Sequence, residues 1–541
     1  MNKRLLVLAL LGPLLWPVLA IVAGAQTLSR FHAVAPAVMP VAGLDQHIQD
    51  GKLQLTLRDY LALVLANDTQ IRVLLLANAT AQNAVLGAHS PFDPNLTASF
   101  GSTRAVQPQT SQTSGATTLS QLGQTTQIGF SQEFATGQQV QINFGSNRNS
   151  SNSLFSTFNP SIGANFGFSL TQPLLRNRSN LQNGTGLLVA RTQLLVVGDQ
   201  TQTQIADELV NAADQYWATV QARDEITVQQ QALDLARKSY ERDENALQLG
   251  ALAPGDIFTS QAQVAQDQTQ LLQAQSNYQQ QLDQLRRLAG ADLDPATRDL
   301  DVALLDDPSA EPPQAPLLSR EQAVAEALRQ RPEVDALQRQ GAVDSFRLAQ
   351  ARDALKPQLN LTGSYGSNGL AGNSVGIVTP LGVSAAGTDT GLGTALHQIF
   401  AFASPTYGFS LSLSLPLRNS NAEAQLADSL VSQTSDAYQE RSEQQQIRQD
   451  VLLADTRLRM AVEVVKSAAT ARDLAQKNVD AEQQKYTLGS ITVFELLQAQ
   501  VQLSNAQLTL LNAYTSYQEA EIAYERATWT LLSKLGVRIG N

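Results

Sequence analysis

The chain has 541 residues, a formal net charge of −11, a pI near 5.0 and no cysteine. An acidic chain without a basic cluster is a poor match for a nucleic-acid binder, and the missing cysteine removes the usual bacterial lipid-attachment point. Length alone suggests three or four domains, whereas the long periodic segments point to fewer, elongated units.

Lys3-Arg4, the apolar run Leu5 to Val22 and the small-residue site Ala23-Gly24-Ala25 have the layout of a cleaved secretory signal, residues 1–25. A retained anchor is the alternative, against which Pro13 and Pro17 interrupt the run. No later stretch is long and apolar enough to span a bilayer as a helix. Export then leaves a secreted protein or an outer-membrane β-barrel, in which insertion comes from strands.

Residues 26–52 read as an irregular segment. A helix is predicted over 53–89, with Leu57, Leu61, Val64, Leu65 and Ile71 on one side, stopped by Pro91 and Pro94. Strand patterns follow over 95–172. Leu96, Ala98 and Phe100 alternate with polar residues, Ile128 to Phe134 and Val140 to Phe144 form a hairpin through Ala135-Thr136-Gly137, and Phe166, Phe168 and Leu170 alternate before Pro173. Residues 180–289 form a long helical hairpin turning at Gly250 to Gly255. A proline-rich connector over 290–317 carries an acidic run (Asp292, Asp294, Asp299, Asp301, Asp306, Asp307) that reads as a solvated linker, with cation binding as the lesser alternative.

The same plan then repeats. A helix over 318–355 kinks at Pro332 and stops at Pro357, strands occupy 358–416 around a Gly-rich loop (368–405), and a second helical hairpin fills 419–535. Asn67 sits over Gln330 and Pro94 over Pro357 at one offset, Phe168-Ser-Leu-Thr-Gln-Pro173 matches Leu411-Ser-Leu-Ser-Leu-Pro416, and Leu249-Gly250 matches Leu488-Gly489. This is an internal duplication, in which the first copy has room for an extra β-hairpin.

In the last hairpin Ile447, Val451, Ala454, Leu458, Ala461, Val465 and Ala468 fall on alternating steps of three and four, which is a coiled-coil seam. An outgoing arm of roughly 70 residues spans ~105 Å, while each return arm covers only about half of that. The shortfall is one medium helix. The lengths suggest that 256–289 is continued by 318–355, and 495–533 by 53–89.

Four strands, or six with the extra hairpin, are too few to close a membrane barrel, for which about eight is the minimum. Open strand edges are not tolerated in hydrocarbon, so several chains must share one barrel. Three chains giving twelve strands satisfy the even count. The alternative is a soluble β-region capping a coiled coil.

The medium helices ending in proline and a strand, the string Ser169-Leu-Thr-Gln-Pro-Leu-Leu-Arg176 and the two Leu-Gly turns resemble the TolC-type outer-membrane efflux family over nearly the whole chain after residue 25. The resemblance implies a mainly α fold, a long coiled-coil barrel joined to a shared trimeric twelve-stranded β-barrel. It further implies a homotrimer in the outer membrane, in contact with outer-membrane lipid, with a periplasmic helical tunnel. Its role would be the exit duct of a tripartite efflux or type I secretion system, joined to an inner-membrane transporter through a periplasmic adaptor protein.

The resemblance also assigns a gate at the helical tip. Tyr486 matches the tyrosine that ties neighbouring coils together, Asp256 the aspartate that accepts its hydroxyl, and Glu495 the first carboxylate of a constriction ring. Gln498 stands where the family has a second acidic residue, and Ile491 where it has an arginine, which implies a looser resting gate. Three Glu495 carboxylates ~6 Å apart would repel by ~3 kcal/mol per pair at an effective dielectric near 20. The plainer role of Glu495 and Asp256 is to cap the return helices at their positive ends, and the two roles are compatible. Leu249, Gly250, Leu252, Leu488 and Gly489 at the turns are the candidate adaptor contacts.

No enzyme is expected. His32, His47, His89 and His397 are far apart, no metal-ligand spacing or nucleophile motif occurs, and the Gly184-x-Gly186 string lacks the buried strand that a dinucleotide site needs. No cofactor is implied. The rival from another class is an adhesin-like trimeric coiled-coil surface protein, and the identity of the cargo is left open.

Overall fold

The computed structural model describes residues 34–536 except 111–116, 154–155, 250–253, 256, 311–313, 317, 375–377, 380–381 and 384–390. The proposed signal segment lies outside these residues. In chain order the elements are β1 (Ile48–Gln49), β2 (Lys52–Leu55), α1 (Leu57–Asn67), α2 (Thr69–Gly87), β3 (Asn95–Pro108), β4 (Thr118–Glu133), β5 (Gln139–Ser151) and β6 (Phe158–Pro173). After them come α3 (Thr185–Gln248), α4 (Ile257–Ala289), β7 (Asp301–Leu304), α5 (Arg320–Gln330), α6 (Pro332–Ala354) and β8 (Gln358–Ser374). The chain ends with α7 (Leu392–Phe400), β9 (Pro405–Ser414), α8 (Ser420–Thr487), α9 (Val493–Ala527) and α10 (Leu531–Leu535). The helices α3 and α8 run for 64 and 68 residues.

The duplication is visible in the helix breaks. α1 and α5 are both 11 residues long, and each is followed after one residue by a second helix. Thr56 caps α1 by accepting from the Asp59 amide, and Ser319 heads α5 with a full capping box to Gln322. At the first break Asp68 accepts from the Gln70 and Ile71 amides and so starts α2. At the second, Pro332 occupies the first position of α6, where its missing N–H costs nothing.

The chain divides into two compact units. One comprises residues 34–81, 194–339 and 436–541. Its core gathers Leu53, Leu55, Tyr60, Leu61, Ile71, Ile205, Leu209, Tyr216 and Leu285, all almost fully buried. Each such side chain contributes about 1.5–3 kcal/mol through burial. No single helix among the described residues is long and apolar enough to cross a membrane. The bent pair around Asp68 meets the length and composition for one, but Tyr60, Leu61, Leu63 and Val64 of its first helix and Ile71 of its second are buried in this core.

Two expectations need correction in this unit. The segments read as irregular or loop-rich form a small sheet, in which β2 pairs antiparallel with β1 and parallel with β7 of the connector. Asp306, expected in a solvated linker, instead accepts from Tyr216 Oη at 2.7 Å and from the Leu57 amide at 2.6 Å. The return helices also end against the medium helix of their own repeat. Asn67 at the α1–α2 break donates to Ala289 O at the end of α4, and Gly290, at φ +72°, has Asn67 Cβ 2.9 Å from where a Cβ would stand. Likewise Arg526 near the end of α9 pairs with Glu333 at 3.1 Å beside the α5–α6 break.

The other unit includes residues 82–193 and 340–435. It is built on one six-stranded antiparallel sheet in the order β9-β8-β6-β5-β4-β3. The open question of four strands or six is thereby answered within one chain: β4 and β5 lie inside the sheet, between β3 and β6. The Gly-rich loop contains α7, which packs on the sheet through Ala395 and Ile399 against Ala164 and Ala371. Ser367 Oγ donates to Ile399 O, and Gly369 lies so close that a Cβ there would stand 2.0 Å from Ala395 O.

Candidate functional site

The register sorts the six strands into two faces of opposite character. On one face the partners across the sheet are Leu96 with Phe130, Phe130 with Ile142, Ile142 with Phe168, Phe168 with Tyr365 and Tyr365 with Tyr407. Rows above and below add Ile128, Leu170, Leu361, Leu411 and Phe409, together with Phe144 and Phe166, which pack against α7 on this face. Phe409 is 84% exposed and Phe100 60%. From Leu413 to Tyr407 this apolar face spans ~20 Å along the strand, close to the ~25 Å band of membrane barrels. Beyond it, Arg104 donates to Ser120 and Arg148 to Gln124, so the same face turns polar.

The other face carries Thr97, Ser99, Gly101, Gln127, Asn143, Asn147, Asn165, Ser169, Thr362, Ser364, Asn368, Ser410 and Ser412. Along the six strands its one ionisable group is Glu133, at the end of β4. A sheet with one apolar and one small, polar face separates lipid from water. A monomeric soluble protein rarely leaves so large an apolar surface open.

A separate candidate site is the end of the two helical hairpins, within the helical unit. Steps of three and four bury Leu233, Ala236, Ser239 and Asp243 on α3. Asp243 has no exposed surface, and both its oxygens are used: Oδ1 accepts from Tyr486 Oη of α8 at 2.5 Å and Oδ2 from Ser260 Oγ of α4 at 2.7 Å. The Arg242 guanidinium stands 5.1 Å over the Tyr486 ring and donates to Ser239 Oγ. Gln500 Nε2 of α9 donates to the same hydroxyl at 3.2 Å. One polar knot thus ties all four helices, and because it is buried, losing any member strands the others without water.

The expected residues fall as follows. Tyr486 is in the latch, and its described hydrogen bond goes to Asp243; Asp256 lies outside the described residues. Glu495 is exposed and sits in a capping box, where Oε2 accepts from the Thr492 amide at 2.8 Å and Thr492 Oγ1 accepts from the Glu495 amide. The capping role is therefore present, and Oε1 remains for a second one. Gln498 is exposed one turn further on. Leu249 and Leu488 are 85% and 83% exposed, and Gly489 turns the chain at φ +69°. Gly250 and Leu252 lie outside the described residues. Asp243, Ser260, Arg242 and Gln500 were missed from sequence. The available signal was an acid and a serine on the core-facing row of α3. Further along α4, burial pushes the Asp267 carboxyl up from its ordinary range while a hydrogen bond from Gln263 pulls it down.

One chain thus carries a sheet with one apolar and one small, polar face together with two long helical hairpins. Residues 323–528 match the model of the outer membrane efflux protein family, and the chain as a whole has the fold of that family's channels. It is similar to CusC (TM-score 0.63, 14% identity, 92% of this chain and 98% of that one). It is also similar to CmeC, an outer membrane channel of Campylobacter jejuni (0.60, 13%, 92% and 95%), and to the open state of the Neisseria gonorrhoeae MtrE outer membrane channel (0.60, 15%, 88% and 89%). No curated protein sequence matches the chain.

Proposed function

We propose that this chain is a protomer of an outer-membrane channel-tunnel, the exit duct of a tripartite efflux or type I secretion system. The observation that carries this is the sheet: among the described residues β3 and β9 each pair on one side only, and the two faces differ in character, one suited to lipid and one to water. Unpaired edges in hydrocarbon cost several kcal/mol per group, so the edges must meet those of further copies. Three copies satisfy closure, and the homotrimer is the assembly supported by the resemblance in fold.

The hairpin ends would form the periplasmic gate. Tyr486 and Asp243 hold the two hairpins of one protomer together, Glu495 with Gln498 faces the threefold axis, and Asp256 is the further gate candidate from the sequence. The candidate adaptor contacts Leu249, Gly250, Leu252, Leu488 and Gly489, of which Leu249 and Leu488 are exposed, would receive a periplasmic adaptor, which connects the duct to an inner-membrane transporter. Reconstitution in planar bilayers is the test. Stepwise ion conductance is expected, whereas a coiled-coil surface fibre, the reading from another class, gives none.

A further inference from the structure

We infer that each protomer inserts six strands, so that three copies close an eighteen-stranded barrel rather than the twelve-stranded one that four strands per chain would make. This rests on the trimeric channel just proposed and fixes the width and character of its exit.

Four independent features build the β4–β5 hairpin into the membrane wall. First, the ladder is unbroken: among the described residues β3 pairs only with β4, and β6 meets β5, over 14 and 11 residue pairs respectively. Second, both hairpin strands carry the lipid-type pattern at the height of the duplicated strands, with Phe130 and Ile142 in one row with Phe168.

Third, asparagines on the water face lie flat over glycines of the next strand. Asn147 Oδ1 is 2.3 Å from where a Cβ of Gly163 would stand, Asn165 Oδ1 is 2.4 Å from that of Gly145, and Asn143 Oδ1 is 3.3 Å from that of Gly129. A Cβ at Gly163 or Gly145 would displace the asparagine lying over it, a Cβ at Gly129 would crowd Asn143, and each contact spans β4–β5 or β5–β6. Removing the hairpin from the sheet would strand the asparagines and leave bare backbone opposite them.

Fourth, the turn of the hairpin is docked. Gly137, at φ +80°, has Asn177 O 2.2 Å from its missing Cβ, and Asn183 Nδ2 donates to both Ala135 O and Asn177 O. A hairpin standing free above the membrane would need none of this.

Six is an even number of alternating strands, so β9 of one protomer meets β3 of the next antiparallel and closure stays regular. At a strand spacing of ~4.8 Å and a tilt of ~40°, the backbone diameter grows from about 24 Å for twelve strands to about 36 Å for eighteen. The wall facing that bore is Asn, Ser, Thr, Gln and Gly with hardly a charge. The barrel therefore passes solutes without sorting them by size or sign, and selection falls to the helical ends.

The absence of native cysteine allows a direct test. Single variants Phe130→Cys, Ile142→Cys and Phe168→Cys, which lie in one row of the sheet clear of α7, would carry nitroxide labels in proteoliposomes, with collision rates measured against oxygen and a nickel chelate. Labels at 130 and 142 should match 168, high for oxygen and several-fold lower for nickel. Nickel access at 130 and 142 with lipid contact at 168 overturns the eighteen-strand wall and leaves the channel standing. Nickel access at all three removes both. As a check that does not depend on bulky labels, Gln141→Cys with Ser169→Cys should form a disulfide in membrane-inserted protein, because the two face each other in β5 and β6. No cross-link there would put β5 outside the wall.

Discussion

Tyr486 and Asp243, far apart in sequence and carried by different hairpins, are joined by a hydrogen bond of 2.5 Å with the carboxylate wholly buried. A hydroxyl on a buried charge contributes about 1.5–3 kcal/mol, and if it holds the resting tip, its loss shifts the opening equilibrium ten-fold or more. Tyr486→Phe should therefore raise the open fraction and the current noise of single channels by at least ten-fold. Asp243→Asn should do the same, and the double variant should add little to either. Unchanged gating in both would remove the latch. Substituting Asp256 in parallel shows whether that residue shares the load.

Arg242 is the cation of this knot, stacked on the Tyr486 ring and tied to Ser239. Arg242→Ala should weaken the tip by about 1–2 kcal/mol through loss of the cation–π contact and of the positive charge beside Asp243. Lysine keeps the charge but not the planar stack. Arg242→Lys should then give an opening frequency between wild type and alanine, measured in the same bilayers.

Asp455 in α8 is fully buried and accepts from Arg320 Nε at 2.8 Å and from Arg459 Nε at 3.0 Å. Burial alone would raise its pKa, but the hydrogen bonds from Arg459 and Arg320 outweigh it and hold the carboxyl below its usual range. A depressed acid stabilises the fold above its unfolded value of about 3.9, and that contribution is lost as pH falls through the lower folded value. Asp455→Asn should cost about 1–3 kcal/mol at pH 7. The melting curves of variant and wild type should converge in strong acid, and a constant difference across the whole range would contradict the assignment.

The sequence exposed the long-range plan better than the local fittings. The offset between Asn67 and Gln330 is the offset between the two helix breaks, and the alternation around Phe168 and Leu411 marks strands that the register confirms. Such signals are periodic, so they survive without knowledge of partners. The β2–β7 pairing joins two four-residue segments whose only cue is contact with each other. Helix α7 starts at Gly391, which has no side chain to cap it, and is too short to show a period against its glycine-rich surroundings. The end-to-end pairing of helices failed for another reason: length arithmetic is equally satisfied by a medium helix from either repeat, and only contacts such as Asn67 with Ala289 decide.

Gly369 makes α7 a testable attachment. Any Cβ at that position would meet the Ala395 carbonyl, which is backbone and cannot rotate away. Gly369→Val should therefore cost about 1–3 kcal/mol by overpacking and lift α7 from the sheet, while the ladder between β6 and β8 persists. Limited proteolysis should cut within 391–403 in the variant and not in wild type, with trimer yield unchanged. Resistance equal to wild type would show that the helix has another anchorage.

Glu495 carries two roles that substitution can separate. Its Oε2 closes the capping box with Thr492, and glutamine serves that position as well as glutamate does. Glu495→Gln should thus leave thermal stability within about 0.5 kcal/mol of wild type. If three Glu495 side chains surround the axis, the same change removes their charge and should lower cation-over-anion permeability several-fold, read as a shift in reversal potential under a salt gradient. Thr492→Ala should behave in the opposite way, costing about 1 kcal/mol of stability while the ring keeps its charge. Permeability that is indifferent to Glu495→Gln would reduce this residue to a helix cap and take it out of the lining of the passage.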